Sequence, residues 1–137
     1  MAYWLLKTEP DEYSWNDQVK RGAKGEAWTG VRNFTARRHL AEMKKGDQFF
    51  FYHTGDEKSV IGICKAAGDA YPDPADKDGK LYAVDVEPVK KLKNPVTLAS
   101  VKADKRFASW ELTRIPRLSV MPVPQETWDA VVKMSGG

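Results

Sequence analysis

Two apolar runs on either side of a four-residue turn set the strongest constraint on this chain. Gln48 to Thr54 is dense in aromatics, Ser59 to Gly68 returns with Val60, Ile61 and Ile63, and Gly55-Asp56-Glu57-Lys58 stands between them. Aromatic and β-branched residues suit a pleated surface, and a short connection bearing Gly and Asp turns the chain back on itself. The pattern predicts an antiparallel hairpin, and the rest of the fold must accommodate its sheet.

The remaining segments alternate short strands and short helices. Tyr3 to Leu6 reads as a strand ended by Lys7-Thr8-Glu9-Pro10, and Asp11 is the candidate N-cap of a helix running to Arg21. A loop around Trp28 follows, then a helix from Phe34 to Met43 and a turn at Lys44-Lys45-Gly46-Asp47. Past the hairpin, Asp73 to Gly79 is a loop of Asp, Pro and Gly, and Leu81 to Leu92 alternates as a strand does. Asn94-Pro95-Val96-Thr97 precedes a short helix to Lys105, Arg117 to Met121 is a last strand, and Pro124 opens a helix with Trp128, Val131 and Val132 on one face. Such an order predicts an α+β domain with a curved or barrel-like sheet flanked by helices. At 137 residues the whole chain is expected to be a single domain, with no repeats and no interdomain linker. Its start does not resemble a signal peptide and no apolar run reaches membrane-spanning length, so a soluble, cytoplasmic protein is expected.

Catalytic and metal chemistry find little footing. The histidines His39 and His53 and the single Cys64 have no metal-ligand spacing, and Cys64 reads as a small buried hydrophobe. Neither a phosphate-binding glycine loop nor a dinucleotide fingerprint occurs, so no cofactor is expected. His53 at a strand end is the one candidate general base, and it can equally donate to a ligand or simply end the strand. By alternation it shares a face with Phe49 and Phe51, while Tyr52 points the other way.

Binding chemistry has more support. Trp28-Thr29-Gly30-Val31-Arg32-Asn33-Phe34 brackets a glycine, an arginine and an asparagine with two flat aromatics. Asn33 both donates and accepts, which suits the edge of a nucleobase, although it can equally cap the following helix while Trp28 fills a core. Arg117 and Ser119 would share one strand face and could hold a phosphate or a base edge, with Pro116 and Pro122 ending the pairing on either side. Charge is segregated. Asp17 to Lys45 carries eight Lys/Arg against three Asp/Glu, Pro88 to Leu118 eight against two, and Thr54 to Gly79 three against six. Two basic segments beside aromatics are the footprint of a nucleic-acid surface, with Arg32, Arg37 and Arg38 as backbone contacts.

Taken in order, Tyr3-Trp4-Leu5-Leu6-Lys7-Thr8-Glu9-Pro10, Trp28 to Phe34 with Ala36-Arg37, Gly46-Asp47, Phe51-Tyr52-His53, Gly62-Ile63, Ala70-Tyr71-Pro72-Asp73 and Arg117-Leu118-Ser119-Val120 with Pro122-Val123 resemble an EVE domain, a PUA-like family. The resemblance implies a PUA-like β-barrel with peripheral helices and a non-catalytic module that binds modified nucleobases, notably modified cytosines such as 5-methylcytosine in DNA. It implies a ligand pocket drawn from Trp28, Asn33, Phe34, His53, Arg117 and Ser119, with Trp4, Lys7 and Thr8 on the strand beside it. Thr29 stands where the family usually has aspartate and Phe34 where it has tyrosine, and the loop after Asp73 is shorter than in many relatives. The alternatives are a reader of methylated RNA, told apart by its use of the 2′-hydroxyl, a nucleotide-acting enzyme using His53, and a protein-interaction adaptor with a flat apolar patch.

Overall fold

The structure, a computed structural model, describes residues 2–11, 13–21, 26–28, 34–74, 76–77, 79, 81–115 and 118–136, with the backbone alone for 21, 26–28 and 34. The predicted hairpin is its centre. Strand β3 (Gln48–His53) and strand β4 (Ser59–Ala66) pair antiparallel, and Gly55 in the connection takes a φ of 74°. Strand β1 (Tyr3–Thr8) lies parallel to β3, with Tyr3 opposite Gln48 and Thr8 opposite His53. It therefore runs two residues past the expected end at Leu6, because Tyr52 and His53 are still there to pair with. On its other side β1 takes the antiparallel strand β7 (Val120–Pro122).

Strand β6 (Tyr82–Thr97) covers the far side of β4 and carries the short strand β2 (Glu26–Trp28) on its outer edge, giving the order β2-β6-β4-β3-β1-β7. The two-residue β5 (Tyr71–Pro72) also pairs with β6. Two expectations change here. Trp28 ends a strand where the sequence predicts a loop, and β6 continues through Asn94 and Pro95 rather than stopping before them. Pro95 falls in a stretch of β6 without partners on β4, so its missing N–H costs no ladder bond.

Helices cover both faces of the sheet, and this is why β3 is buried on both sides instead of alternating. On one face lie α1 (Trp15–Arg21) and α2 (Phe34–Ala41). Trp15 meets Phe51 edge to face at 5.5 Å, and His39 of α2 tilts against Trp4 at 5.8 Å. On the other face α5 (Gln125–Met134) inserts Trp128, which stacks on Phe50 at 4.0 Å and on Tyr3 at 4.3 Å. Helices α3 (Leu98–Ala103) and α4 (Glu111–Arg114), joined through a 3₁₀ turn at Lys105–Phe107, connect β6 to β7. Because α2 packs against both β6 and β7, strands from the two flanks of the sheet approach one helix, and the sheet curls as predicted.

Local chemistry sets the ends of these elements. Helix α1 starts at Trp15, not near Asp11: Ser14 N donates to Asp17 Oδ2 at 2.9 Å, and Asp17 N donates to Ser14 Oγ at 3.2 Å, a reciprocal cap. Asp47, buried after the turn at Gly46 (φ 89°), accepts from Trp4 Nε1 at 3.1 Å, Lys44 N at 3.0 Å and Ala2 N at 3.1 Å. That carboxylate ties β1 to the start of β3. The last strand begins at Val120, so Ser119 precedes it, although Ser119 O still accepts from Lys7 N at 2.9 Å. Pro122 does not end the pairing, since Val123 N donates to Tyr3 O at 2.8 Å. Strand β7 is an edge strand, where proline is tolerated on the side with no neighbour.

Candidate functional site

Parallel pairing of β1 with β3 brings Lys7 opposite Tyr52, and the Lys7 ammonium lies 5.6 Å from the Tyr52 ring centroid. Burial lowers the pKa of Lys7 and pushes that of Tyr52 up to about 12. Backbone bonding sets Ser119 beside Lys7. Lysine, phenol and serine thus gather at the ends of β1 and β3 and the start of β7. A partly desolvated cation beside an aromatic face and hydroxyls is a setting for a base edge or an anion. Tyr52 was absent from the predicted site, and the signal that finds it is the parallel register with Lys7.

His53 sits on the opposite face and is buried. Its Nε2 accepts from the backbone N–H of Trp15 at 3.0 Å, and its Nδ1 lies 2.5 Å from Glu57 Oε2. An acceptor at Nε2 requires the proton on Nδ1, donated to Glu57. Both nitrogens are therefore committed inside the protein, and neither is open to act as a base on a substrate. His53 borders an open groove of about 330 Å³ with Pro10, Ser14, Trp15, Asn16, Glu57, Ile61, Lys91 and Pro95.

The other predicted residues divide. Trp4 is buried with its indole N–H donated to Asp47, and Thr8 Oγ1 donates to Tyr13 O at 2.9 Å. Arg37 is half-buried and Arg38 exposed on α2, where burial also lowers the pKa of His39. Trp28 ends β2 opposite Val84, whereas the ladder sets His53 level with Ser59 and Thr97, so these two predicted residues stand at opposite ends of β6. Phe34 opens α2. Asn33, Arg32 and Arg117 lie outside the described residues. Among the described residues no three His, Cys, Asp or Glu side chains come together as metal ligands do, and no helix is long and apolar enough to cross a membrane.

The same fold recurs in known proteins. A Rhodopseudomonas palustris protein solved by NMR is 51% identical and superposes with a TM-score of 0.95, over 99% of this chain and 94% of that one. Human THYN1, solved in complex with DNA containing 5-methylcytosine, is 29% identical with a TM-score of 0.90, over 100% of this chain and 99% of that one. In sequence, human thymocyte nuclear protein 1 is 30% identical over 165 residues, covering 97% of this chain and 73% of the relative. The model of the EVE domain matches residues 2–134, and the chain belongs to the EVE-domain family.

Proposed function

We propose that this chain is a non-catalytic reader that binds DNA through a modified cytosine, the whole chain acting as one module in the cytoplasm. The observation that carries the reading is the superposition, along the full chain, on a human relative solved with 5-methylcytosine-containing DNA. In this reading Trp28 and Phe34 stack on the flipped base and Asn33 reads its edge. Lys7, Ser119 and Arg117 meet the adjoining polar groups, and Arg32, Arg37 and Arg38 meet phosphates. Trp4, Thr8 and His53 act as scaffold rather than as ligand contacts, since their polar atoms are bonded to the protein itself. With no base positioned at His53, the module needs a separate effector to act on the mark it reads.

Stacking supplies about 1–3 kcal/mol per base, and phosphate contacts supply affinity that falls with salt. One buried methyl adds only about 0.8 kcal/mol, so burial alone gives roughly fourfold discrimination. The test is a tryptophan-fluorescence titration at fixed salt. One oligonucleotide carries cytosine, 5-methylcytosine or 5-hydroxymethylcytosine, with a methylated RNA beside it. Tighter binding to one modified DNA, lost in Trp28→Ala with circular dichroism unchanged, is the expected result. Equal binding to every oligonucleotide would refute the reading.

A further inference from the structure

The groove beside His53 arises from an irregularity that the ladder makes explicit. On the β3 side, Tyr52 pairs with Val60 and Phe51 with Gly62, which leaves Ile61 without a partner. On the β6 side, Val60 pairs with Val96 and Gly62 with Lys91, so the single residue Ile61 faces Leu92 through Pro95. The sheet is opened on both flanks of one residue. Bulges of this kind recur beside functional sites, where they re-aim side chains. Strand order then lays Lys91 and Pro95, Ile61, His53 and Pro10 across the opening in turn. At about 4.8 Å per strand the span is roughly 14 Å. The groove's 330 Å³ falls at the small end of ligand sites.

Two of its polar groups, His53 and Glu57, are held in place by the protein. Trp15 N–H holds His53 Nε2, and His53 Nδ1 holds Glu57 Oε2, so a bond from buried histidine fixes the carboxylate at the rim. Among the described residues Glu57 Oε1 makes no hydrogen bond, Lys91 makes no ion pair, and the Asn16 side chain has no partner. A carboxylate only accepts and repels phosphate, so it selects a donor such as the exocyclic amine of adenine, cytosine or guanine. Lys91 suits an anionic group. The rings of Pro10, Pro95 and Trp15 supply flat apolar contact.

We propose that this groove holds a nucleotide of the same DNA strand several positions from the modified one, its base amine donating to Glu57 and its phosphate meeting Lys91, since Trp28 pairs at the other end of β6. The assignment rests on the DNA-reading function proposed above and adds a sequence preference at a distance from the mark.

The test uses the full chain and oligonucleotides of one length with a single 5-methylcytosine. Each other position in turn carries adenine, cytosine, guanine, thymine or an abasic residue, and binding is followed by fluorescence anisotropy. At one position away from the mark, the amino-bearing bases should bind roughly tenfold tighter than the abasic residue, with thymine between. Glu57→Gln, which keeps an acceptor for His53 and should melt as wild type does, should bring thymine level with the others. Lys91→Ala should weaken binding to all and flatten the salt dependence by about one unit of slope. Wild-type affinity indifferent to every such position, or both variants binding with wild-type selectivity, would overturn the groove assignment while leaving the preference for 5-methylcytosine over cytosine intact. Loss of that last preference with selection at the distant position retained would instead refute the reader and keep the groove.

Discussion

Gly62→Ala is the sharpest probe of how α1 is held on the sheet. A Cβ built at Gly62 would stand 2.5 Å from Trp15 Cη2 and 2.8 Å from Cε3. Trp15 is buried against Phe51 and its backbone N–H donates to His53, so relief requires either the ring to leave Phe51 or α1 to shift and lengthen that bond. Overpacking of this kind costs about 1–3 kcal/mol, and a lengthened Trp15–His53 bond adds about 1 kcal/mol. The sum is about 2–4 kcal/mol, or a fall in Tm of about 10 °C for a domain of this size. The assay is urea or thermal unfolding followed by circular dichroism, run as a double-mutant cycle with Trp15→Leu. In the leucine background the obstructing ring is gone, and Gly62→Ala should cost less than about 1 kcal/mol, a coupling of about 2 kcal/mol. A Gly62→Ala variant melting within about 1 °C of wild type, or the same loss in both backgrounds, would refute the close approach of Trp15 as the reason for glycine here.

Asp47→Ala should destabilise by about 3 kcal/mol in urea unfolding, because three donors including the buried Trp4 indole lose their acceptor, with Asp47→Asn costing clearly less. A loss no larger than that of an exposed Asp→Ala would count against Asp47 as the tie between β1 and β3. Tyr52 has its pKa raised by burial to about 12, above the ordinary value of 10.0, so its contribution is fully present below pH 10 and is lost as pH rises from 10 toward 12. Relative to Tyr52→Phe, wild-type stability should therefore fall over that window, and parallel curves would contradict the burial.

Much of the scaffold was legible because local and long-range signals agreed. Phe49 to Tyr52, a turn with Gly55 and the run from Val60 to Ile63 specify a hairpin at every level. Ser14 and Asp17 also carry a readable helix start, three residues past the candidate cap Asp11. What stayed hidden depends on partners distant in sequence. Glu26-Ala27-Trp28 has little strand propensity of its own and becomes a strand because β6 offers an open edge. The nearness of Lys7 to Tyr52 and Ser119 follows from parallel and antiparallel pairings that no local pattern encodes. His53 was legible as a singular residue but not in its role, because its acceptor nitrogen is claimed by Trp15 N, 38 positions away.

The setting of β1 between β3 and β7 has a consequence for how the chain comes to be folded. Strand β1 takes one partner near residue 48 and the other near residue 121, so its β3 side can pair early while its other edge stays open until β7 is available. Such distant pairings are slow to close. Helices α1 and α2 are synthesised before the sheet can be completed. On a ribosome, nascent chains stalled short of β7 should therefore resist proteases poorly, with protection arriving abruptly once β7 and the Trp128 helix emerge. In this fold β7 and the Trp128 helix complete the neighbourhood of β1.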